Sequence, residues 1–380
     1  MTCSQILQRL FSVHNTIILL THLPMPRSIH YPCISPELNP YNELLIRSLN
    51  LSGYSSESCN SINHLFKSVL TRRVSVVHFH WLDRAGGSFS LQPLRLFWQL
   101  SIISLIIIAR VFNIRTVWTV HNMNKHNSID NVLIYYKTVS LLVNSIICHS
   151  PSACHLISQT YHVPSRKIVF IPHGYYPQAL SVKNKSYTDV CSQEPLRILY
   201  FGNLSPYKGL DTLLSALNNI NIPHHLQPNV TIAGSLNKSK YPSLLGDLQA
   251  FPNLTIIPNF LNYSTLNSHL NDSDIVILPF KDILTSGSLI YALSSGRPVI
   301  ISNIPSLSFY LSPSFAFTFN PGDILSLAHV LESTCTNYMK NDLAEMGRCA
   351  RNFALTLDWN TIGRQTANVY TRKRNVSLFQ

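Results

Sequence analysis

The stretch Arg197-Ile-Leu-Tyr-Phe-Gly-Asn-Leu-Ser-Pro-Tyr-Lys-Gly-Leu-Asp211 most constrains what this chain can fold into. Ile198 to Phe201 is a short apolar run stopped by Gly202, which predicts a buried strand. Asn203 to Pro206 is turn chemistry, and the residues from Leu210 onward have helical spacing. Strand, glycine turn and helix in that order let a backbone approach a ligand closely at a helix start, where free N–H groups favour an anion. Lys208 adds a mobile positive charge at the same place. On this stretch alone, a structural turn with a solvated lysine fits equally well.

A second stretch tips the balance. Ile275 to Pro279 predicts a strand, the loop Phe280 to Ser288 contains Thr285-Ser286-Gly287-Ser288, and Leu289 to Ser294 predicts a short helix before the strand Val299-Ile300-Ile301. Small hydroxyl residues around a glycine at a helix start make a second anion cradle. Two such turns at the carboxyl ends of two strands in one α/β sheet suggest a diphosphate bound in the crevice there.

The segments GNLSPYKGLDTLLSAL and PFKDILTSGSLIYALSSGRPVI, about 75 residues apart, resemble the donor half of GT-B glycosyltransferases, nearest the family-4-like bacterial group. The likeness covers most of residues 195–370. It implies donor contacts at Gly202, Asn203, Lys208, Asp282, Thr285, Ser286, Gly287 and Ser288, with Phe260 beside the nucleotide base. Two departures stand out. An arginine common after the first glycine is Asn203 here, which leaves Lys208 as the main cation. The family's paired glutamates fall on Ile283 and Tyr291, with Asp282 the nearest carboxylate, so the stereochemistry of transfer stays open.

The first half carries polar residues at strand ends. Val74 to Phe79 predicts a strand that delivers His80, Trp81 and Asp83, followed by Gly86-Gly87. Either these residues face the α/β crevice, or they are a packing cluster with Asp83 capping the next helix. Arg115 to Val120 predicts a strand delivering His121 and Asn122, and TVWTVHN again resembles the acceptor half of the same enzymes. That resemblance places His121, and His121 only, against the donor sugar. His80, Trp81 and Asn122 are acceptor-side candidates by their place at the strand ends, and Asp83 is the candidate base if the enzyme inverts. Pro172-His173-Gly174 is similar to the family's turn at this position, or is a glycine turn without a ligand. An earlier strand is expected over Asn15 to Thr21, and residues 22–40, with five prolines, read as a loop.

Length and composition suit two domains: 380 residues, 46% apolar and 12% charged. The boundaries expected are 1–177 for a Rossmann-like acceptor domain, 178–194 for a linker and 195–356 for a Rossmann-like nucleotide-sugar domain. Residues 357–380 form a closing helix that crosses back. The expected class is α/β, with two parallel sheets facing across a cleft. A net charge of +12 favours an anionic partner. Nucleic acid is disfavoured, because no basic reading helix or zinc spacing is present. The eight cysteines are scattered without a CxxC pair and read as buried thiols. No signal peptide is expected, and the apolar segment Leu96 to Val111 reads as too short to span a bilayer. It is a core helix by preference, or else a membrane-surface helix.

The resemblance implies glycosyl transfer from a UDP- or GDP-linked sugar to a saccharide or lipid-linked saccharide. No cofactor or metal is called for, since the nucleotide-sugar is a substrate and no Asp-x-Asp pair of the metal-binding kind is read in the chain. It further implies a cytoplasmic setting, with peripheral contact to an anionic membrane. A non-catalytic sugar-nucleotide-binding protein or a sugar-nucleotide epimerase of the same architecture are the alternatives.

Overall fold

The computed structural model describes residues 25–82, 92–123, 130–186, 194–235, 251 and 253–372. The strand expected over 15–21 and the candidate base Asp83 lie outside the described residues.

Twelve described strands form two parallel six-stranded sheets. The first comprises β1 (Arg27–Tyr31), β2 (Ser55–Ser58), β3 (Val76–Phe79), β4 (Arg115–Thr119), β5 (Ser145–Cys148) and β6 (Ile168–Phe170), in the order β2-β1-β3-β4-β5-β6. Its helices are α1 (Tyr41–Leu51), α2 (Ile62–Leu70), α3 (Gln92–Val111), α4 (Asp130–Leu142) and α5 (Pro151–Tyr161). The second comprises β7 (Arg197–Phe201), β8 (Asn229–Ala233), β9 (Leu254–Ile257), β10 (Ile275–Leu278), β11 (Val299–Ser302) and β12 (Ala316–Phe319). Read from its β9 edge the order is β9-β8-β7-β10-β11-β12. Strand order therefore reverses between β7 and β10, and a doubly wound sheet binds ligand outside the strand ends at that reversal.

Helices α6 (Leu210–Leu217), α7 (Tyr263–Asp272), α8 (Gly287–Ser294), α9 (Ile324–Asn337) and α10 (Lys340–Thr356) belong with the second sheet. Helix α11 (Trp359–Thr371) then packs along α1 of the first half. Its Ile362, Val369 and Tyr370 share one apolar cluster with Tyr41, Leu45 and Leu49. Asp358 caps it by accepting from the Thr361 N–H at 2.8 Å.

Local chemistry sets most boundaries. Ser150 accepts from the Ala153 N–H at 3.1 Å and Pro151 opens α5, an N-cap with proline at the first helical position. Val-rich and Ile-rich β10 and β11 are buried at every position, as strands covered on both faces must be.

Two expectations need correction. The proline-rich loop 22–40 contains β1. Pro24 and Pro26 precede that strand and Pro32 follows it, so no proline removes a hydrogen bond inside it. Helix α3, read as too short to span, is long and apolar enough by length and composition to cross a membrane; one side of it packs in the core, yet only 22% of that apolar stretch is buried. Periodicity shows a helix; it does not show that both faces find partners.

Candidate functional site

A pocket of about 280 Å³ opens at the reversal of the second sheet, where the two halves meet. Gly202, directly after β7, has φ +123°. A Cβ there would lie 2.7 Å from Lys208 Nζ and 3.1 Å from Ser288 Oγ. Backbone, ammonium and hydroxyl thus converge on one point. Gly209, which starts α6, comes so close to β10 that a Cβ would sit 1.8 Å from the Pro279 carbonyl oxygen. That contact holds the first turn against the second.

Lys208 is not the mobile surface charge that the sequence suggested. It is 8% exposed, and burial lowers its pKa to about 8. Its ammonium lies 5.8 Å from the centre of the Phe280 ring. A buried cation with no ion pair found for it among the described residues is costly unless an anion arrives. Gly287 and Ser288 begin α8 and line the pocket, whereas Ser286 faces inward and caps the helix through the Leu289 N–H at 3.1 Å. Helix α8 therefore presents its free N–H end to the ligand space.

Of the expected donor residues, Gly202, Asn203, Lys208, Phe260, Gly287 and Ser288 line the pocket together. Asp282, Thr285 and Ser286 do not. The Thr285 hydroxyl is buried without a hydrogen-bond partner among the described residues. Phe260 is 53% exposed at the pocket rim. Several lining residues were not among the expected site residues: Tyr176, Ser235, Tyr263 and, from the first half, Glu37 to Pro40, together with Tyr291, which the sequence marked only as a departure from the resemblance. Tyr291 stands where the resemblance implies a glutamate. Its ring stacks on Tyr263 at 5.8 Å and its hydroxyl donates to Asn267 Oδ1 at 2.8 Å. Tyr263 in turn donates to the Pro36 carbonyl at 3.2 Å, tying the halves together across the pocket.

The acceptor-side residues form a separate array at the strand ends of the first sheet. His30 on β1 lies in register with His78 on β3, and His80 follows on the same face. His30 Nδ1 and His80 Nε2 share a hydrogen bond at 3.1 Å, and His80 Nδ1 pairs with His121 Nε2 at 3.3 Å. His121 stacks on Trp81 at 4.0 Å. His78 is held by the Tyr370 hydroxyl at 2.6 Å and by Thr119 Oγ1 at 2.7 Å. His149 and His173 complete the group around Tyr41. Burial lowers the pKa of His30 and His173 to about 3 and that of His149 to about 4, and puts His78 and His80 well below 6.5. These five are neutral at pH 7. The ring nitrogens of His30, His78 and His80 come within 4.8 Å of one another, close enough to suggest a metal. All six nitrogens, however, already have hydrogen-bond partners, so we assign no metal there. Neither His80, Trp81, His121 nor Asn122 lines the pocket at the second sheet. The link runs through His173, whose Nε2 lies 3.4 Å from the hydroxyl of the pocket residue Tyr176.

Two doubly wound parallel sheets with a phosphate-suited pocket between them define the GT-B architecture. Within that class, residues 190–353 match the family model described as glycosyl transferases group 1. Among curated proteins, the GDP-mannose:glycolipid 4-beta-D-mannosyltransferase of Xanthomonas campestris pv. campestris is 28% identical over 131 residues. That match covers 34% of this chain and spans only about a third (35%) of the relative's length. Among solved structures, sucrose-phosphate synthase from Thermosynechococcus elongatus superposes with TM-score 0.68 at 15% identity, over 92% of this chain and 98% of that one. HepE from Anabaena in complex with UDP-glucose gives TM-score 0.67 at 14% identity, over 92% of this chain and all of that one. At such identities these structures speak for the fold.

Proposed function

We propose that the chain transfers a sugar from a UDP- or GDP-linked donor to a saccharide or lipid-linked saccharide acceptor, with no metal ion in the mechanism. The observation that carries this reading is the convergence of the Gly202 backbone, the buried Lys208 ammonium and the Ser288 hydroxyl at the start of α8. The group 1 match over the same segment supports it. The similarity to a GDP-mannose-dependent, glycolipid-directed enzyme makes GDP-mannose the first donor to try.

In this reading the bond between the anomeric carbon and the phosphate oxygen breaks, and its electron pair leaves with the diphosphate. Lys208 and the N–H groups opening α8 stabilise that charge as it develops. The acceptor oxygen forms the new bond and gives up its proton, which the Asp83 carboxylate takes as base if the enzyme inverts, while His121 supports the sugar.

A thermal-shift panel of GDP, UDP and their sugars tests the donor site. A nucleotide at one hundred times its Kd should stabilise the fold by about 2.7 kcal/mol. A panel in which no nucleotide shifts the melting temperature overturns the proposal. For Asp83→Asn, transfer should fall sharply while nucleotide binding persists; full turnover would strike Asp83 from the mechanism.

A further inference from the structure

We propose that the outer faces of α3 and α4 form a docking surface for an anionic lipid bilayer, with α3 lying in the plane of the interface. Ile102, Leu105, Ile106 and Ala109 on one side of α3 are buried in the core of the first sheet. Along the opposite side Leu96, Phe97, Leu100, Ile107 and Val111 are exposed, at positions that the helical repeat brings onto one stripe. Phe97 is 69% exposed and Val111 75%. Helix α4, packed against α3, adds Leu133, Ile134 and Leu141. Together with Leu94 these are nine of the 21 large apolar side chains exposed in the described structure, gathered on two neighbouring helices. Scattered exposed leucines need no explanation, whereas a contiguous apolar face marks an interaction site.

Charge chooses the partner. Residues 1–177 carry 14 Lys and Arg against 5 Asp and Glu, so they supply +9 of the net +12. Cations gather at the carboxyl end of α3. The Arg72 guanidinium sits 4.7 Å over the Phe112 ring. Lys167 has its pKa lowered to about 8, first by burial and then by Arg110 and Arg166. Lys167 also donates to the Ser140 and Leu141 carbonyls, which fixes this cluster against the end of α4. An apolar stripe bordered by cations fits a layer with acyl chains below and anionic headgroups above. Because its inner face is committed to the core, α3 lies in the surface and does not span. The inference is independent of the donor chemistry proposed above.

The test is co-sedimentation with vesicles of phosphatidylcholine alone and with about one-third phosphatidylglycerol. The chain is expected to pellet with the mixed vesicles and to stay in solution with the neutral ones. Phe97→Ser with Leu100→Ser should weaken that binding at least about tenfold, and Arg110→Glu with Arg166→Glu by a similar factor. All four positions are half-buried at most or exposed, so melting temperature and nucleotide affinity should stay unchanged. Wild-type chain that remains in solution with both vesicle types overturns the proposal. So does light scattering that shows a dimer which the Phe97/Leu100 variant dissociates, since the face would then cover a second copy.

Discussion

At the scale of residues, Lys208 decides most. Its unfolded-state pKa is 10.5 and burial lowers the folded value to about 8. The unfolded chain therefore holds more protons between those values, and the stability of the ligand-free protein rises with pH across that window. Diphosphate affinity runs the other way, because a bound anion favours the ammonium form. Above pH 8 the free protein must take up a proton on binding. The dissociation constant for the preferred nucleotide should then rise towards tenfold per pH unit between about pH 8 and 9.5. Titration calorimetry across that range checks it. Lys208→Met should remove the slope and weaken binding at pH 7 by about 10- to 100-fold, the scale of one charge-assisted hydrogen bond. An unchanged constant at pH 7 would show that the ammonium does not touch the ligand. The sequence marked this lysine through the glycine before it and the helix after it. Its burial was hidden, because Phe280, whose ring lies under the ammonium, and Ser288, which meets it at Gly202, are more than seventy positions away in the sequence.

At the scale of elements, the strand ends carry the candidate site residues in both sheets, but they were not equally readable. Strands β7 and β10 announce themselves as apolar runs closed by glycine or proline turns. Strand β1 does not: Arg27-Ser-Ile-His-Tyr31 holds one aliphatic residue and sits among prolines. Polar β2, Ser55–Ser58, is equally silent as an edge strand. With β1 unseen, His30 could not be placed beside His78 and His80, so the histidine array escaped notice although each member stood in plain view. The array predicts acid sensitivity. His30, His78, His80, His149 and His173 all have folded-state pKa values below 6.5. Their contribution is whole above pH 6.5 and is lost as pH falls towards the folded values, because the unfolded chain takes up protons first. At pH 5 His30, His149 and His173, with folded values of about 3, 4 and 3, should each cost on the order of 2 kcal/mol relative to pH 7.5, and His78 and His80 act in the same direction. Melting temperature should therefore drop steeply between pH 6.5 and 5, and protection of β1 and β3 amides should go first in hydrogen exchange. A flat profile across that range would mean that these rings are already solvated or charged.

At the scale of the whole molecule, the last helix binds a chain that otherwise divides at its middle. After α10 finishes the second half, α11 returns to α1, and the contact tolerates no side chain at Gly363. A Cβ there would lie 1.8 Å from Ser48 Oγ and 2.8 Å from the Ser48 backbone. The same serine hydroxyl donates to the Trp359 carbonyl at 2.5 Å, and Trp359 Nε1 donates to the Tyr175 carbonyl at 2.7 Å. The carboxyl-terminal helix thus belongs to the core of the first sheet, and Tyr370 reaches the histidine array from it. We propose that this helix couples the folding of the first half to the completion of the second. Gly363→Ala should force α11 off α1 and cost about 1–3 kcal/mol, as overpacking does. The loss should fall on the first half, with earlier hydrogen exchange in α1 and β1. Nucleotide affinity should hold within about a factor of two, since Gly363 shares no partner with the donor pocket. If Gly363→Ala instead weakens nucleotide binding as strongly as it lowers the melting temperature, the halves behave as one cooperative body and α11 acts on the cleft itself. Exchange and calorimetry on the same variant separate these outcomes, because the first reads where the fold loosens and the second reads whether the pocket feels it.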